Sequence, residues 1–97
     1  MNVIKEVKQA LRISESNTAF DDEVQNLIDA ARLDLQQAGI SKSVIYQSET
    51  DPLIKRAVIT YAKANFGYDN PEADRFDRAY IMLKQHLSLY GDFQDET

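Results

Sequence analysis

Asp51-Pro52-Leu53-Ile54-Lys55-Arg56-Ala57-Val58-Ile59-Thr60-Tyr61-Ala62-Lys63-Ala64-Asn65-Phe66-Gly67 is the stretch on which the fold turns. Asp51 suits a helix N-cap, and Pro52 suits the first helical position, where an N–H would have no intrahelical partner anyway. Leu53, Ile54, Ala57, Val58, Tyr61, Ala62 and Phe66 recur at helical spacing and cover a wide arc. A stripe that broad is the mark of a central helix, contacted from more than one side. Gly67 closes it, since glycine takes the left-handed conformation without a Cβ clash.

Working outward, the same opening signal recurs at Asn70-Pro71-Glu72, and the helix it starts runs to about residue 90, before Gly91. Phe76, Tyr80, Leu83 and Leu87 form its apolar stripe. On the amino-terminal side, a helix is expected to start between residues 18 and 22 and end near 37. Thr18 and Asp21 have capping-box spacing, with Asp in place of Glu or Gln. Val24, Leu27, Ile28, Ala31 and Leu35 fall on one face, and Gly39 supplies the stop. Asp29 and Arg32, three apart, read as a solvent-side pair. A first helix over residues 2–12 carries Val3, Val7 and Leu11 at intervals of four, with Ile4 beside them. The least helical stretch is 41–50, where Val44-Ile45-Tyr46 sits among polar residues. It reads as a short strand or as an apolar anchor in a loop, packed on this chain's core or on a neighbour. The expected fold class is therefore all-α: a small four-helix bundle-like domain with one longer loop between the second and third helices. Residues 1–91 make one helical domain, and 92–97, Asp-Phe-Gln-Asp-Glu-Thr, make a short acidic tail.

Composition narrows the function. The chain has 97 residues, enough for one modest core. It has no cysteine, which removes disulfides and thiolate metal sites, and one histidine, His86, which removes a multi-histidine site within one chain. No cofactor or metal is expected. The net charge of −5 argues against an electrostatic clamp on nucleic-acid phosphates. The amino terminus lacks the basic flank and apolar run of a signal peptide, and no stretch approaches the roughly 20 apolar residues of a membrane span. No membrane association is expected, and a soluble intracellular protein is the expected default.

No catalytic constellation stands out, so an enzyme is not expected. His86 lies near a helix end, where a cationic group suits the helix dipole. Asp21-Asp22-Glu23 reads as the acidic first turn of a helix rather than a cation site, because no calcium-loop spacing follows. Lys55, Arg56 and Lys63 form a weak basic stripe that reads as a solvated face. Tyr61, Phe66, Phe76 and Tyr80 read as packing between the last two helices. Tyr68, Tyr90 and Phe93, at or beyond helix ends, are better placed for a partner. With Val44, Ile45 and Tyr46 they make up the candidate subunit or partner interface.

Several ordered segments then resemble the phage head-tail connector family, also described as head-completion or DNA-packaging adaptor proteins. They are Val7-Lys8-Gln9-Ala10-Leu11-Arg12-Ile13, Leu27-Ile28-Asp29-Ala30-Ala31, Ala38-Gly39-Ile40, Asp51-Pro52-Leu53-Ile54, Tyr61-Ala62-Lys63-Ala64-Asn65-Phe66-Gly67 and Asp69-Asn70-Pro71-Glu72-Ala73, followed by Arg75-Phe76, Tyr80 and Leu87-Ser88-Leu89. The resemblance covers nearly the whole chain, and the Lys63-Ala64-Asn65-Phe66-Gly67 segment with its distance to Arg75-Phe76 is its most specific part. It implies a helical structural subunit of a ring, a dodecamer in the virion, seated beneath the portal protein at the head-tail joint. Such a ring extends the DNA channel, lets DNA pass without sequence-specific binding, and offers further head-completion or tail-joining proteins a docking surface. The resemblance brings no catalytic residue. Two rivals remain at this level: a small regulatory DNA-binding protein, for which a basic recognition helix is missing, and a protein–protein adaptor or antitoxin-like module, which any amphipathic bundle can be.

Overall fold

Asp51 and Pro52 start a helix as the sequence requires. The Asp51 carboxylate accepts a hydrogen bond from the Leu53 N–H at 2.8 Å, and Pro52 occupies the first turn. In the computed structural model, which describes residues 3–47, 51–67 and 70–89, five helices follow in order. They are α1 (Ile4–Ala10), α2 (Asp21–Gln37), α3 (Lys42–Ile45), α4 (Pro52–Asn65) and α5 (Ala73–Ser88). No strand element occurs among the described residues. The chain is all-α, as its periodicity predicts.

The wide stripe on α4 makes it the hub. Ile54, Ala57, Val58 and Ala62 are fully buried, and α1, α2 and α5 all pack on this helix. Val24, Ile28, Ala31 and Leu35 from α2 close over one side, and Tyr80 and Leu87 from α5 over another. The Tyr61 and Tyr80 rings meet edge to face, 5.1 Å between centroids, at the α4–α5 contact. Lys55 on α4 reaches Glu6 on α1 at 3.8 Å.

The stops are made locally. After α2, Gly39 takes φ +97°, its N–H bonds to the Gln36 carbonyl, and the Ile40 N–H reaches back to Leu35. Leu35 and Ile40 are both fully buried, so the closing hydrogen bonds and an apolar contact coincide. The end of α1 has the same hydrogen-bond pattern: Arg12 N–H to Gln9 and Ile13 N–H to Lys8. Here, however, the left-handed position is held by Arg12, at φ 62°. A side chain in that conformation costs roughly 1–2 kcal/mol relative to right-handed backbone. Between α4 and α5, Asn70 joins the two helices. Its amide donates to the Lys63 carbonyl at 2.6 Å and its oxygen accepts from Glu72 N–H at 3.1 Å. The helix itself begins two residues later than the Asn-Pro signal suggests.

Three details differ from the sequence reading. The capping box of Thr18 and Asp21 does not form. Phe20 is the N-cap of α2 and makes no side-chain cap bond, while the Thr18 carbonyl, not its hydroxyl, receives the Asp21 N–H. Asp21 is instead drawn to Lys8. Asp29 accepts from Gln25 and Arg32 lies over the Tyr46 ring, so the expected Asp29–Arg32 pair is replaced on both sides. Finally, the stretch after α2 holds a fifth helical turn, α3, where a strand or irregular loop was expected.

Lys8 explains how α1 and α2 are joined. Its side chain is 6% exposed and its ammonium reaches Asp21 Oδ1 at 2.7 Å, the Asn17 carbonyl at 2.8 Å and the Glu15 carbonyl at 3.2 Å. One buried cation thus satisfies the intervening loop and anchors the first turn of α2. Lys8→Met keeps the apolar stem but strands the Asp21 carboxylate, and should lower stability by about 1–3 kcal/mol in urea unfolding. A loss below about 0.5 kcal/mol would show that water replaces the ammonium without cost.

Candidate interaction surfaces

The segment Val44-Ile45-Tyr46 is pinned by a one-turn helix. The Ser41 hydroxyl caps it by accepting from Ser43 N–H at 3.3 Å, and α3 packs on α2. Ile45 is fully buried and Val44 packs half-buried against the core. The apolar anchor therefore faces this chain's own core. Of the three residues only Tyr46, 50% exposed beneath the Arg32 guanidinium at 5.6 Å, is open to a partner. Tyr68, Tyr90 and Phe93 lie outside the described residues.

A polar seam that the sequence did not announce joins α2 to α5. The Tyr80 hydroxyl donates to Asp34 Oδ2 at 2.6 Å, and the Lys84 ammonium donates to the same oxygen at 3.0 Å. Burial alone would raise the Asp34 carboxyl, but the bonds from Tyr80 and Lys84 and the charge of Lys84 outweigh it and hold the pKa below the ordinary value. Burial first, then the neighbouring carboxylate, pushes the Tyr80 hydroxyl well above its ordinary range. The seam floors an open groove between α2 and α5, rimmed by Leu33 and Ile81. Leu33 is 52% exposed and Ile81 39%, so two large apolar side chains stand partly in water at this rim. Chemically, the groove offers a carboxylate already engaged by two donors, the Tyr80 hydroxyl and the Lys84 ammonium. The signal for it lay in Asp34 standing between Leu33 and Leu35, at the margin of the α2 stripe.

A second recess lies at the other end of α5, where the ends of α1 and α4 meet its start. Arg12, Lys63, Arg75 and Glu72 surround Phe66 and Phe76. Lys63 and Arg75 both sit over the Phe76 ring, at 5.4 and 4.8 Å from its centroid, and Arg75 also binds Glu72 at 2.8 Å. Phe66 is held from behind by Phe20, edge to face at 5.6 Å. Three cations therefore face one carboxylate around an aromatic floor. The expected packing of Phe66 and Phe76 between the last two helices is thus only partial, since both rings reach this recess. His86 lies exposed in the last turn of α5. Among the described residues no three histidine, cysteine or acidic side chains gather as metal ligands, and no helix is long and apolar enough to cross a membrane.

The fold is a one-hub helical module with two surface recesses and several large apolar side chains exposed. A family model described as phage connector protein matches residues 3–94, nearly the whole chain. The chain belongs to the phage connector family, a family of structural proteins, and has a connector-type structural role in the phage particle. No curated protein and no solved structure matches it.

The seam sets a pH dependence. Because the folded Asp34 pKa is depressed, its contribution is complete above the unfolded carboxylate value near 4 and is lost as pH falls through the folded value. Because the folded Tyr80 pKa is raised, its contribution is complete below about 10 and is lost as pH rises further. Tyr80→Phe should cost about 1 kcal/mol at neutral pH, and should lose stability less steeply than the parent chain above pH ~10. Chemical denaturation across pH reads both effects. Parallel profiles for the two proteins would show that the hydroxyl is not coupled to folding.

Proposed function

We propose that this chain is a subunit of a head-tail connector ring that docks on the portal protein, extends the DNA channel and presents a surface to further head-completion or tail-joining proteins. The observation that carries the reading is the family match across residues 3–94, taken with a fold that devotes its buried chemistry to structure and leaves large apolar side chains in water. In this reading residues 1–91 are the connector body, 92–97 are a tail, and the ring is a dodecamer at the joint of the virion. Exposed Leu33, Ile81 and Met82, with Tyr46, are surfaces that assembly would bury. A ring needs two different patches per subunit, because each copy meets its neighbours through unlike surfaces. The net charge of −5 suits a channel wall: an acidic subunit does not hold the phosphates that must slide past it.

The test is electron microscopy of particles from a phage or lysogen whose copy of this gene is disrupted. Separate heads and finished tails are expected; normally joined virions would overturn the reading. Complementation with Leu33→Asp and Met82→Asp together should give the same unjoined particles. Both side chains are already in water, so the melting temperature of the variant should stay near that of the parent.

A further inference from the structure

The cationic recess at the α1–α4–α5 corner lies outside what the connector role accounts for, and one of its cations is placed at a cost. Arg12 closes α1 in the left-handed conformation that glycine adopts without strain, is exposed, and makes no ion pair with any described residue. Strain held in an exposed charged residue that lines a recess points to a contact rather than to packing. The recess combines Arg12, Lys63 and Arg75 with the rings of Phe66 and Phe76, and Glu72 is its one carboxylate. A complementary ligand is a short peptide with several carboxylates and an aromatic side chain among them.

This chain carries such a peptide. Residues 90–97 read Tyr-Gly-Asp-Phe-Gln-Asp-Glu-Thr, with three acidic side chains around Phe93. We infer that the recess receives the acidic tail of a second copy of this chain, with Phe93 against the Phe76 and Phe66 rings and Asp92, Asp95 and Glu96 facing Arg12, Lys63 and Arg75. The distances favour a neighbour's tail. From Phe76 to Leu89, α5 rises about 20 Å, at 1.5 Å per residue. The four residues from Leu89 to Phe93 span at most about 14 Å when fully drawn out. Even drawn out straight, the backbone of a tail folding back on its own recess stops about 6 Å short of Phe76, and it bears the full entropic cost of an extended chain. A neighbour's tail carries no such constraint. The recess lies at the start of α5 and the tail follows its end in the sequence, so each copy offers one of each, and the contact is head-to-tail, the kind that closes rings. The inference deepens the ring-subunit reading, yet its test needs neither portal nor phage; its failure would leave the particle phenotype untouched.

The probe is a fluorescent peptide of residues 90–97, titrated into full-length protein carrying Phe93→Ala and Asp95→Lys so that its own tail does not compete. Saturable binding that weakens with salt is expected, at least about tenfold weaker when Arg75→Glu is added. Arg12→Gly gives a second reading: it should raise the melting temperature, by relief of a left-handed side chain, while weakening the peptide. No saturable binding up to about 1 mM, or equal binding by a peptide of the same composition in scrambled order, would overturn the recess as a site. Mixing the tail-variant protein with a chain carrying Arg12→Gly and Arg75→Glu should yield a one-to-one heterodimer, seen by sedimentation, that neither forms alone. Peptide binding without that heterodimer would show the tail engaging its own chain and would overturn the role of a second copy.

Discussion

The buried ammonium of Lys8 is the interaction on which the arrangement of the first half of the chain depends. A helix of seven residues such as α1 has little stability of its own, because nucleation consumes most of what its hydrogen bonds return. Nor does α2 have a side-chain N-cap. Lys8 answers both needs at once, binding two loop carbonyls and the first-turn carboxylate of α2. With that geometry fixed, Val3 and Val7 are set against α2 and α4, and the apolar stripe of α2 is turned toward the hub. Burying the ion is costly, but two carbonyl acceptors and a carboxylate partner offset the lost hydration and tie the first turn of α2 to α1 in one register.

The hub itself was plain in the sequence, and the reasons are local. Asp51-Pro52 and Gly67 bracket α4, and its broad arc of Ile54, Ala57, Val58 and Ala62 needs only spacing to be seen. The stop at Gly39 and the buried face of α2 follow from the same short-range rules. What sequence could not supply depends on groups far apart in the chain. Tyr80 and Asp34 are 46 residues apart, and nothing near either one names the other. Lys8 left a faint trace: it stands four after Ile4 and three before Leu11, on an apolar flank where a lysine is out of place. The turn of α3 was too short for periodicity to register, four residues being barely one repeat. The interface candidates fared by the same rule: adjacent apolar residues announce burial, but only the folded chain tells that Ile45 is buried at home.

Two polar seams therefore divide the labour of holding the helices in place. One joins α1 to α2 through Lys8; the other joins α2 to α5 through Asp34. Since α2 and α5 both pack on α4 and hardly on each other, the second seam sets how wide the groove between them stands. Its width decides how Leu33 and Ile81 are presented, so part-buried hydrogen bonds on the groove floor shape the apolar rim above them.

The opposite end of the molecule follows a different logic. Gly39 and Gly67 stop their helices without strain, whereas α1 stops on Arg12 in the same left-handed region. If local stability alone were at stake, glycine would serve at all three ends. Backbone strain of this kind clusters at contact sites, and an exposed guanidinium can offset it through a charge that is brought to it. The chain's excess of acid is in part concentrated after α5 in the sequence, at Asp92, Asp95 and Glu96. A small domain that carries a cationic recess at the start of its last helix and an acidic segment after that helix in sequence gains most when copies meet in series, each bringing its acidic segment to its neighbour's recess.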